Sequence, residues 1–471
     1  MKGDFSRLTF QPRQHYARVL QQQGRPQLDA DWNEQVAILL HRLEMMTGDL
    51  IGDAGSRSGA PVDAAGFEIG PVPGEADNFT ISRGRYYIDG LCCECDEDTT
   101  YVEQPLPTGT KPDRDRISLV YLDVWEAVVG PLDDRALLEP ALSGLETTLR
   151  TRIVWQVNTE RLSQNHDARA PDFSALRAES HELAGGLRSH RRGMMRVRLS
   201  GPPVEAGRRA PANPGGGHFR GPENLLYRIE VHEGGPAGQA TFKWSRENGS
   251  PLLPVASLEG SSAHIAPVAR QAASRLTEGT WLELSDRLDR VLGRSRTMVQ
   301  VKNVDAASGL IELTASPDEG RDFKPGERTD VALRRWDQRS VPGPHGGEAG
   351  PKGMPIIEGE HEAHWLTIED GIQVQFAAER EHRHHYRTGD YWLVPARTAD
   401  EGILLRSHAA QPPEGVEHRY APLGLFVPQL ALVIADYRRT FRPLATLQEE
   451  VNSLRVELEE LRSQIGAVGR R

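Results

Sequence analysis

The apolar positions near the start of the chain recur every three or four residues, as they do along one face of an α-helix. Asp31 is a good N-cap residue, and Glu34 stands three positions later, as in a capping box. The pattern predicts an amphipathic helix that begins at Asp31. Its apolar face either packs within its own domain or docks on a neighbouring subunit. This face consists of Trp32, Val36, Leu39, Leu40, Leu43 and Met46.

Alternating apolar and polar residues predict β-structure for most of the chain between its ends. The clearest hairpin joins residues 227–231 to 242–244, and its polar face is expected to contact water. A second hairpin is predicted around residues 83–84. Residues 117–129 are apolar at both parities, which is typical of a strand covered on both faces. The repeated short strands and turns predict a mainly β fold with two or more antiparallel β-sandwich or barrel-like modules.

The last segment carries a narrower helical pattern, in which apolar residues step by three and four without a wider apolar flank. With Leu444 at heptad position a, Glu450 and Glu457 fall at g, and Arg455 and Arg462 fall at e of the following heptads. These positions pair between parallel chains, so the pattern predicts a parallel homo-oligomeric coiled coil. A helix that packs on its own body usually has a wider apolar stripe. The seam residues are Leu447, Val451, Leu454, Leu458, Leu461 and Ile465.

Glycine- and proline-rich stretches at residues 48–74 and 202–221 indicate boundaries between parts of the chain. Four parts are predicted: an N-terminal arm and helix, a first β-rich domain, a second β-rich region that holds one or two modules, and the C-terminal coiled coil. Their bounds are 1–60, 61–200, 201–436 and 437–471.

Composition narrows the class of protein. The 56 basic and 67 acidic residues give a net charge of −11, which disfavours nucleic acid as a partner. There is no run of 18 apolar residues and no short apolar N-terminal core, so neither a membrane span nor a secretory signal is expected. The three cysteines all fall within residues 92–95, too few and too close together to staple a chain of 471 residues. We therefore expect synthesis in the cytoplasm.

Histidines form the best candidate set of metal ligands. Imidazoles two or three residues apart could converge on zinc or nickel, although His361 and His364 are too close for the helical metalloprotease motif, whose ligands are four apart. The alternative is a solvated histidine-rich loop, and no bound metal or cofactor is expected. The candidates are His361, His364, His382, His384 and His385.

Other candidate chemistry has structural alternatives. The adjacent carboxylates Glu369 and Asp370 could act in a glycosidase only if two acids faced each other across a cleft. Trp336 and Trp365 could stack on sugars, whereas the parity and neighbours of Trp244 and Trp392 predict burial. Neither a phosphate-binding glycine loop nor a nucleophile elbow is found.

Several longer motifs carry a resemblance to a family of proteins encoded among phage-tail and extracellular contractile injection system components. The resemblance extends from residue 1 to about residue 425 and implies a context rather than any catalytic residue. Its landmarks are GRPQLDADWNEQ at 24–35, RTRIVWQV at 150–157, ENLLYRIEVH at 223–232, TFKWSREN at 241–248 and YRTGDYWLVPAR at 386–397.

Pattern and resemblance together predict a structural, non-enzymatic subunit that is assembled in the cytoplasm and later carried on a released particle. The arm and helix, with Asp29, Asp31, Trp32 and Glu34 as candidate contact residues, are expected to reach away and dock on another particle subunit. The coiled coil is expected to join copies of the chain, as a trimer rather than a dimer because fibres and spikes in such particles are commonly trimeric. The alternatives are a polysaccharide-binding or polysaccharide-cleaving tailspike, with a surface glycan as partner, and a cargo of the particle.

Overall fold

The structure, a computed structural model, describes most of the chain. The described residues are 1–51, 58–61, 64–113, 116–162, 172–189, 192–200, 217–317, 322–341, 346–379, 384–399, 402–405, 407, 409–430, 432–442 and 444–468. The α-helices in these ranges are α1 (Asp29–Ile51), α2 (Phe173–Ser189), α3 (Arg270–Ala273), α4 (Arg287–Val291) and α5 (Leu444–Val468).

Strands dominate the described residues, which confirms the prediction of a mainly β fold. In chain order they are β1 (Ser58–Pro61), β2 (Ile69–Pro71), β3 (Phe79–Ile81), β4 (Gly84–Ile88), β5 (Leu91–Cys95), β6 (Thr99–Thr100), β7 (Ser118–Val129), β8 (Leu138–Glu139), β9 (Leu145–Glu146), β10 (Arg150–Arg161), β11 (Met195–Leu199), β12 (Leu225–Val231), β13 (Gly235–Pro236), β14 (Thr241–Ser245), β15 (Leu252–Glu259), β16 (Ser262–Ile265), β17 (Trp281–Ser285), β18 (Met298–Asp305), β19 (Leu310–Leu313), β20 (Ala332–Trp336), β21 (Met354–Pro355), β22 (Leu366–Glu369), β23 (Ile372–Phe376), β24 (His385–Tyr386), β25 (Tyr391–Arg397), β26 (Gly402–Ile403), β27 (Arg419–Val427), β28 (Leu432–Asp436) and β29 (Thr440–Phe441).

By compactness the chain divides into two units, each made of three segments. Unit 1 comprises residues 1–38, 126–152 and 189–417, and unit 2 comprises residues 39–125, 153–188 and 418–471. The predicted bounds at 60, 200 and 436 follow the chain in order, whereas the compact units interleave. Whether the four predicted parts fold independently stays a prediction.

Unit 1 contains a five-stranded sheet in the order β21-β14-β12-β25-β26 and a three-stranded sheet in the order β11-β23-β22. Side chains from both sheets share one core, which includes Tyr227, Trp244 and Phe376. The hairpin predicted for residues 227–231 and 242–244 is confirmed, because Ile229 pairs with Trp244 in antiparallel register.

Unit 1 also contains a closed barrel in the order β15-β16-β19-β18-β17-β20. Apolar side chains from all six strands, among them Leu258, Leu282 and Leu333, fill its interior. The barrel confirms that part of the prediction of barrel-like modules.

Unit 2 is built mainly on the sheets β29-β1-β4-β5, β10-β7-β27-β28 and β2-β3-β6. Strand β7 is covered on both faces, as its apolar residues at both parities predict: Leu122 and Val124 lie in one apolar core and Leu119 in another. The hairpin predicted around residues 83–84 is wrong: β3 pairs with β2 and β6, and the tight turn is Asp89-Gly90, which joins β4 to β5. Both turn residues have positive φ (47° and 88°), as a type I′ turn requires.

Helix α1 begins at Asp29, two residues earlier than predicted. The carbonyl of Leu28 accepts hydrogen bonds from the amides of Asp31 (3.2 Å) and Trp32 (3.4 Å), so Asp31 lies inside the first turn. The acids near the helix start bind residues of the arm. Asp29 accepts hydrogen bonds from the amide and the hydroxyl of Ser6, and Glu34 accepts one from the hydroxyl of Thr9. The predicted capping box is therefore absent from this described helix start.

None of the helices in the described ranges is long and apolar enough to cross a membrane.

Candidate assembly surfaces

Helix α5 presents an apolar seam to solvent. The five seam residues whose side chains are described expose between 42% and 63% of their surface; they are Leu447, Val451, Leu454, Leu458 and Leu461. Ile465 lies in the same helix, but its side chain is outside the described set. The helix predicted from the heptad pattern is thus present, and its association into a coiled coil stays a prediction because a single chain is described.

Helix α1 also turns its apolar stripe outwards. Trp32 exposes 72% of its surface, while Ala30 and Ile38 are buried on another side of the helix. The stripe predicted from the sequence is therefore exposed among the described residues, and it extends one turn further, to Leu50. The exposed stripe consists of Trp32, Val36, Leu39, Leu40, Leu43, Met46 and Leu50.

The start of the arm is held by its own unit, contrary to the expectation that the arm reaches away. Asn248 donates hydrogen bonds from its side-chain amide to the carbonyls of Met1 (3.1 Å) and Gly3 (2.9 Å). Phe5 and Leu8 pack against an apolar cluster that contains Leu226 and other residues of the five-stranded sheet. Docking on a neighbour would therefore involve later residues of the arm or α1.

Lys2 covers the polar face of the β12–β14 hairpin. Its ammonium lies 2.8 Å from the carboxylate of Glu230, which also pairs with Arg228 at 2.5 Å. Burial alone would raise the pKa of Glu230, but the surrounding cations hold it well below its usual value. Burial lowers the pKa of Lys2 to about 7. The prediction of a wet face was wrong, since Arg228, Glu230 and Lys243 are buried.

The same cluster continues towards the barrel strands. Lys243 lies 2.6 Å from Glu283, and the indole N–H of Trp336 donates to Glu283 at 2.7 Å. The ammonium of Lys243 also lies 4.3 Å from the centroid of the Trp336 ring. Burial lowers the pKa of the neighbouring His232 to about 4. Lys2, Arg228 and Lys243 each pair with Glu230 or Glu283, which is the arrangement of a structural ionic core.

The histidine candidates do not form a metal centre in the described part of the chain. His384 is buried, and its Nδ1 lies 2.8 Å from Glu358. The rings of His361 and His364 are 6.0 Å apart, and His385 is exposed on β24. His382 lies outside the described residues. Among the described residues, no three or more His, Cys, Asp or Glu side chains are grouped so that they could hold a metal.

The adjacent carboxylates Glu369 and Asp370 serve the fold. Asp370 and Gly371 have positive φ (48° and 89°) and form the tight turn between β22 and β23. The hydroxyl of Tyr227 lies 3.3 Å from both carboxylates, and Arg246 pairs with Glu369 at 2.6 Å. Both carboxylates therefore have partners within unit 1, and the charge of Glu369 is paired with that of Arg246.

The tryptophans considered for glycan stacking are largely covered. Trp244, Trp336 and Trp392 are buried. Trp365 is half-buried, with the guanidinium of Arg198 at 4.2 Å from its ring centroid. Trp336, which the sequence left open, therefore has a core role.

No pattern in the sequence predicts the histidine–carboxylate pair that is found in unit 2. Nδ1 of His418 lies 2.8 Å from Asp123, and its ring stacks on Trp125 with centroids 4.7 Å apart. Because 295 positions separate His418 from Asp123, only the pairing of β7 with β27 brings them together.

The comparisons with known proteins extend to most of the chain. A family model described as a family of unknown function (DUF6519) matches residues 1–184 and 204–425, so α1 lies within the matched region and α5 beyond it. No curated protein and no solved structure matches the chain. Since the matched residues make up well over half of the sequence, the chain belongs to the DUF6519 family.

Proposed function

We propose that the protein is a non-enzymatic structural subunit of a phage-tail-like contractile particle, in a baseplate-associated or fibre-like position. It would be made and assembled in the cytoplasm and remain on the particle after release. The observation that carries this proposal is the heptad seam of α5, which the described residues leave exposed and whose spacing supports packing against the same helix of other copies.

The charges beside the seam support a parallel arrangement of identical chains. In parallel helices a residue at g faces the e position of the next heptad in the partner, so Glu450 would face Arg455 and Glu457 would face Arg462. Within its own chain Glu450 also contacts Arg442. The mixed Leu, Val and Ile content of the seam fits both dimer and trimer, and the trimer is favoured by analogy with tail fibres and spikes.

The resemblance of the N-terminal and central motifs to components of contractile particles supplies the context of the proposal. The docking role proposed for α1 rests on its uncovered apolar stripe, since large exposed apolar patches commonly mark interaction sites.

Light scattering tests self-association in the full chain. We expect a multiple of the 52.2 kDa chain mass, which is divisible by three if α5 forms the favoured trimer, and a lower multiple for Leu454→Glu/Leu458→Glu. Val456→Glu is the matched control, because Val456 is exposed on α5 but lies off the seam. Substitution is preferable to truncation after residue 438, which would remove β29 and its pairing with β1. Equal masses for all three chains would contradict the proposal.

Sedimentation tests the context. Particles from gently lysed native cells should contain the chain in fixed stoichiometry with sheath and tube proteins, at a multiple of three or six copies. A chain that stays in the supernatant would contradict a structural role and return attention to a tailspike that binds or cleaves polysaccharide.

A further inference from the structure

The apolar stripe of α1 has the spacing of a coiled-coil seam. Trp32, Val36, Leu39, Leu43, Met46 and Leu50 follow each other at steps of four and three, and all six are exposed. At 1.5 Å per residue the stripe is about 27 Å long. With Val36 at heptad position a, these residues occupy successive a and d positions, whose side chains interlock with those of another helix. The spacing of the stripe therefore fits a helix as its partner.

The stripe is also symmetric about the level of residue 41. Leu39 and Leu43 lie two positions from it, Val36 and Met46 five, and Trp32 and Leu50 nine. In an antiparallel pair of identical helices centred there, each a residue faces a d residue of the other helix, and no seam residue lacks a partner. Such a pair has the two-fold symmetry of an isologous contact, in which the same patch serves on both copies.

The residues that flank the seam favour this antiparallel arrangement over a parallel one. Leu40 is exposed at position e, beside the seam. In a parallel pair it would face the amide of Gln35, whereas in the antiparallel pair it faces Leu40 of the other copy. Gln35 would then face Asp49, and Asn33 would face Thr47. Arg42 would approach its own copy at the solvent edge, a repulsion that salt weakens.

We infer that α1 binds α1 of a second copy of the chain in an antiparallel, two-fold contact. The inference names the partner of the docking helix and rests on the proposed assembly role. The α1 contact is two-fold and the α5 contact is cyclic and parallel. In a closed assembly of dihedral symmetry that contains both contacts, the number of chains is the product of the two stoichiometries. If α5 forms trimers, the full chain forms hexamers.

The experiment uses the full chain with the α5 seam blocked by Leu454→Glu/Leu458→Glu. Light scattering should give twice the chain mass. Adding either Leu39→Glu or Leu43→Lys should reduce it to a monomer, because each places a charge opposite leucine in the seam. Mixing these two chains should restore the dimer, since Glu at position 39 then faces Lys at position 43 of the other helix while the second layer keeps two leucines. Val268→Glu, at a site 81% exposed elsewhere in the chain, is the control.

Circular dichroism verifies that each variant is folded. A dimer that survives Leu39→Glu, or a mixture that stays monomeric, overturns the inference. So does an α1 variant that keeps the full wild-type mass but no longer sediments with particles, because another particle subunit would then be the partner. Failure of the α5 contact alone can be distinguished from failure of the α1 contact. In that case the α5 substitutions leave the mass unchanged, while Leu39→Glu in the otherwise wild-type chain halves it.

Discussion

Glu230 is a buried carboxylate that depends on cations from distant parts of the sequence. Lys2 and Arg228 pair with it directly, and Lys243 lies 3.6 Å away while pairing with Glu283. Removing one partner from such a cluster leaves an uncompensated buried charge, which costs more than the ion pair itself contributes. The cluster therefore makes single substitutions unusually costly.

We expect Lys243→Met to lower the free energy of unfolding by about 3–5 kcal/mol, because Glu283 would remain buried and ionised without its ammonium partner. Denaturation in urea, followed by tryptophan fluorescence, measures this loss. Lys352→Met is the control: Lys352 also pairs with a glutamate, at 3.0 Å, but 69% of its side chain is exposed. Its substitution should change little, and similar losses for both variants would contradict the ionic-core interpretation.

His232 should make the fold sensitive to acid. Its pKa falls from 6.5 to about 4 on folding because burial disfavours the charged ring. Between these two pH values the unfolded chain binds the proton and the folded chain does not. The contribution of His232 to the free energy of unfolding is therefore fully present above pH 6.5 and is lost as the pH falls towards 4. His232→Gln should remove about 3 kcal/mol of this loss. Unfolding measured at pH 7 and pH 4 would refute this if both chains lost equal stability.

Single residues were the hardest scale to predict. The alternation of Arg228, Glu230 and Lys243 with apolar neighbours identified two strands correctly, but alternation cannot say what covers the polar face. Lys2 covers it from more than two hundred residues away, and Trp336 completes it from β20. The signal available in the sequence was the opposite charge of Glu230 and Lys243, which face each other on β12 and β14 and could have indicated a buried ionic face.

At the scale of elements, tight turns determine how strands pair. Asp89-Gly90 is a dipeptide typical of type I′ hairpins, and it forms the turn in place of the one predicted around residues 83–84. Gly84 instead lies against the backbone of Gly66: a Cβ atom on Gly84 would be 2.7 Å from the Gly66 Cα. Glycine is needed at this position because two chain segments approach each other closely. The local sequence does not reveal that approach.

We expect Gly90→Ala to destabilise unit 2 more than Gly109→Ala does. Both glycines have positive φ, at 88° and 74°. A Cβ atom on Gly90 would lie 2.5 Å from the carbonyl oxygen of Glu44 in α1, whereas one on Gly109 would meet nothing within 4 Å. The shared strain in φ should cost about 1 kcal/mol, and the clash should add about 1–3 kcal/mol for Gly90. Equal losses in thermal unfolding would disprove the close packing of this turn on α1.

Helix periodicity was the most informative signal at this scale. The apolar positions of α1 and α5 were identified from spacing alone, because that spacing follows directly from helix geometry. The start of α1 differs from the prediction because contacts with the arm are not local. Ser6 of the arm binds Asp29, the first residue of the helix, and Thr9 binds Glu34, the acid of the predicted capping box.

At the scale of the whole molecule, the chain contributes three separate segments to each compact unit. Strand β1 pairs with β29 across about 380 positions, and β7 pairs with β27 across about 300. Composition predicted turn-rich stretches at 48–74 and 202–221, but the first contains the end of α1 and the strands β1 and β2, and most of the second lies outside the described residues. It could not predict pairings between distant strands, because nothing local encodes them.

A fragment that follows the predicted sequential boundary should therefore fold poorly. Residues 201–436 alone lack β11, which pairs with β23 over five positions, and lack Lys2 beside Glu230. We expect this fragment to show no cooperative thermal transition in near-ultraviolet circular dichroism, whereas the full chain does. A sharp transition in the fragment would show that the region is independent.

The position of Lys2 against Glu230 has a consequence for synthesis on the ribosome. Their codons lie 228 positions apart, so at about 5–20 residues per second the ammonium leaves the ribosome roughly 10–45 s before the carboxylate. Asn248, which holds the carbonyls of Met1 and Gly3, follows later still. During translation the arm therefore lacks these contacts, and the ionic core of unit 1 forms only after much of the chain has been made.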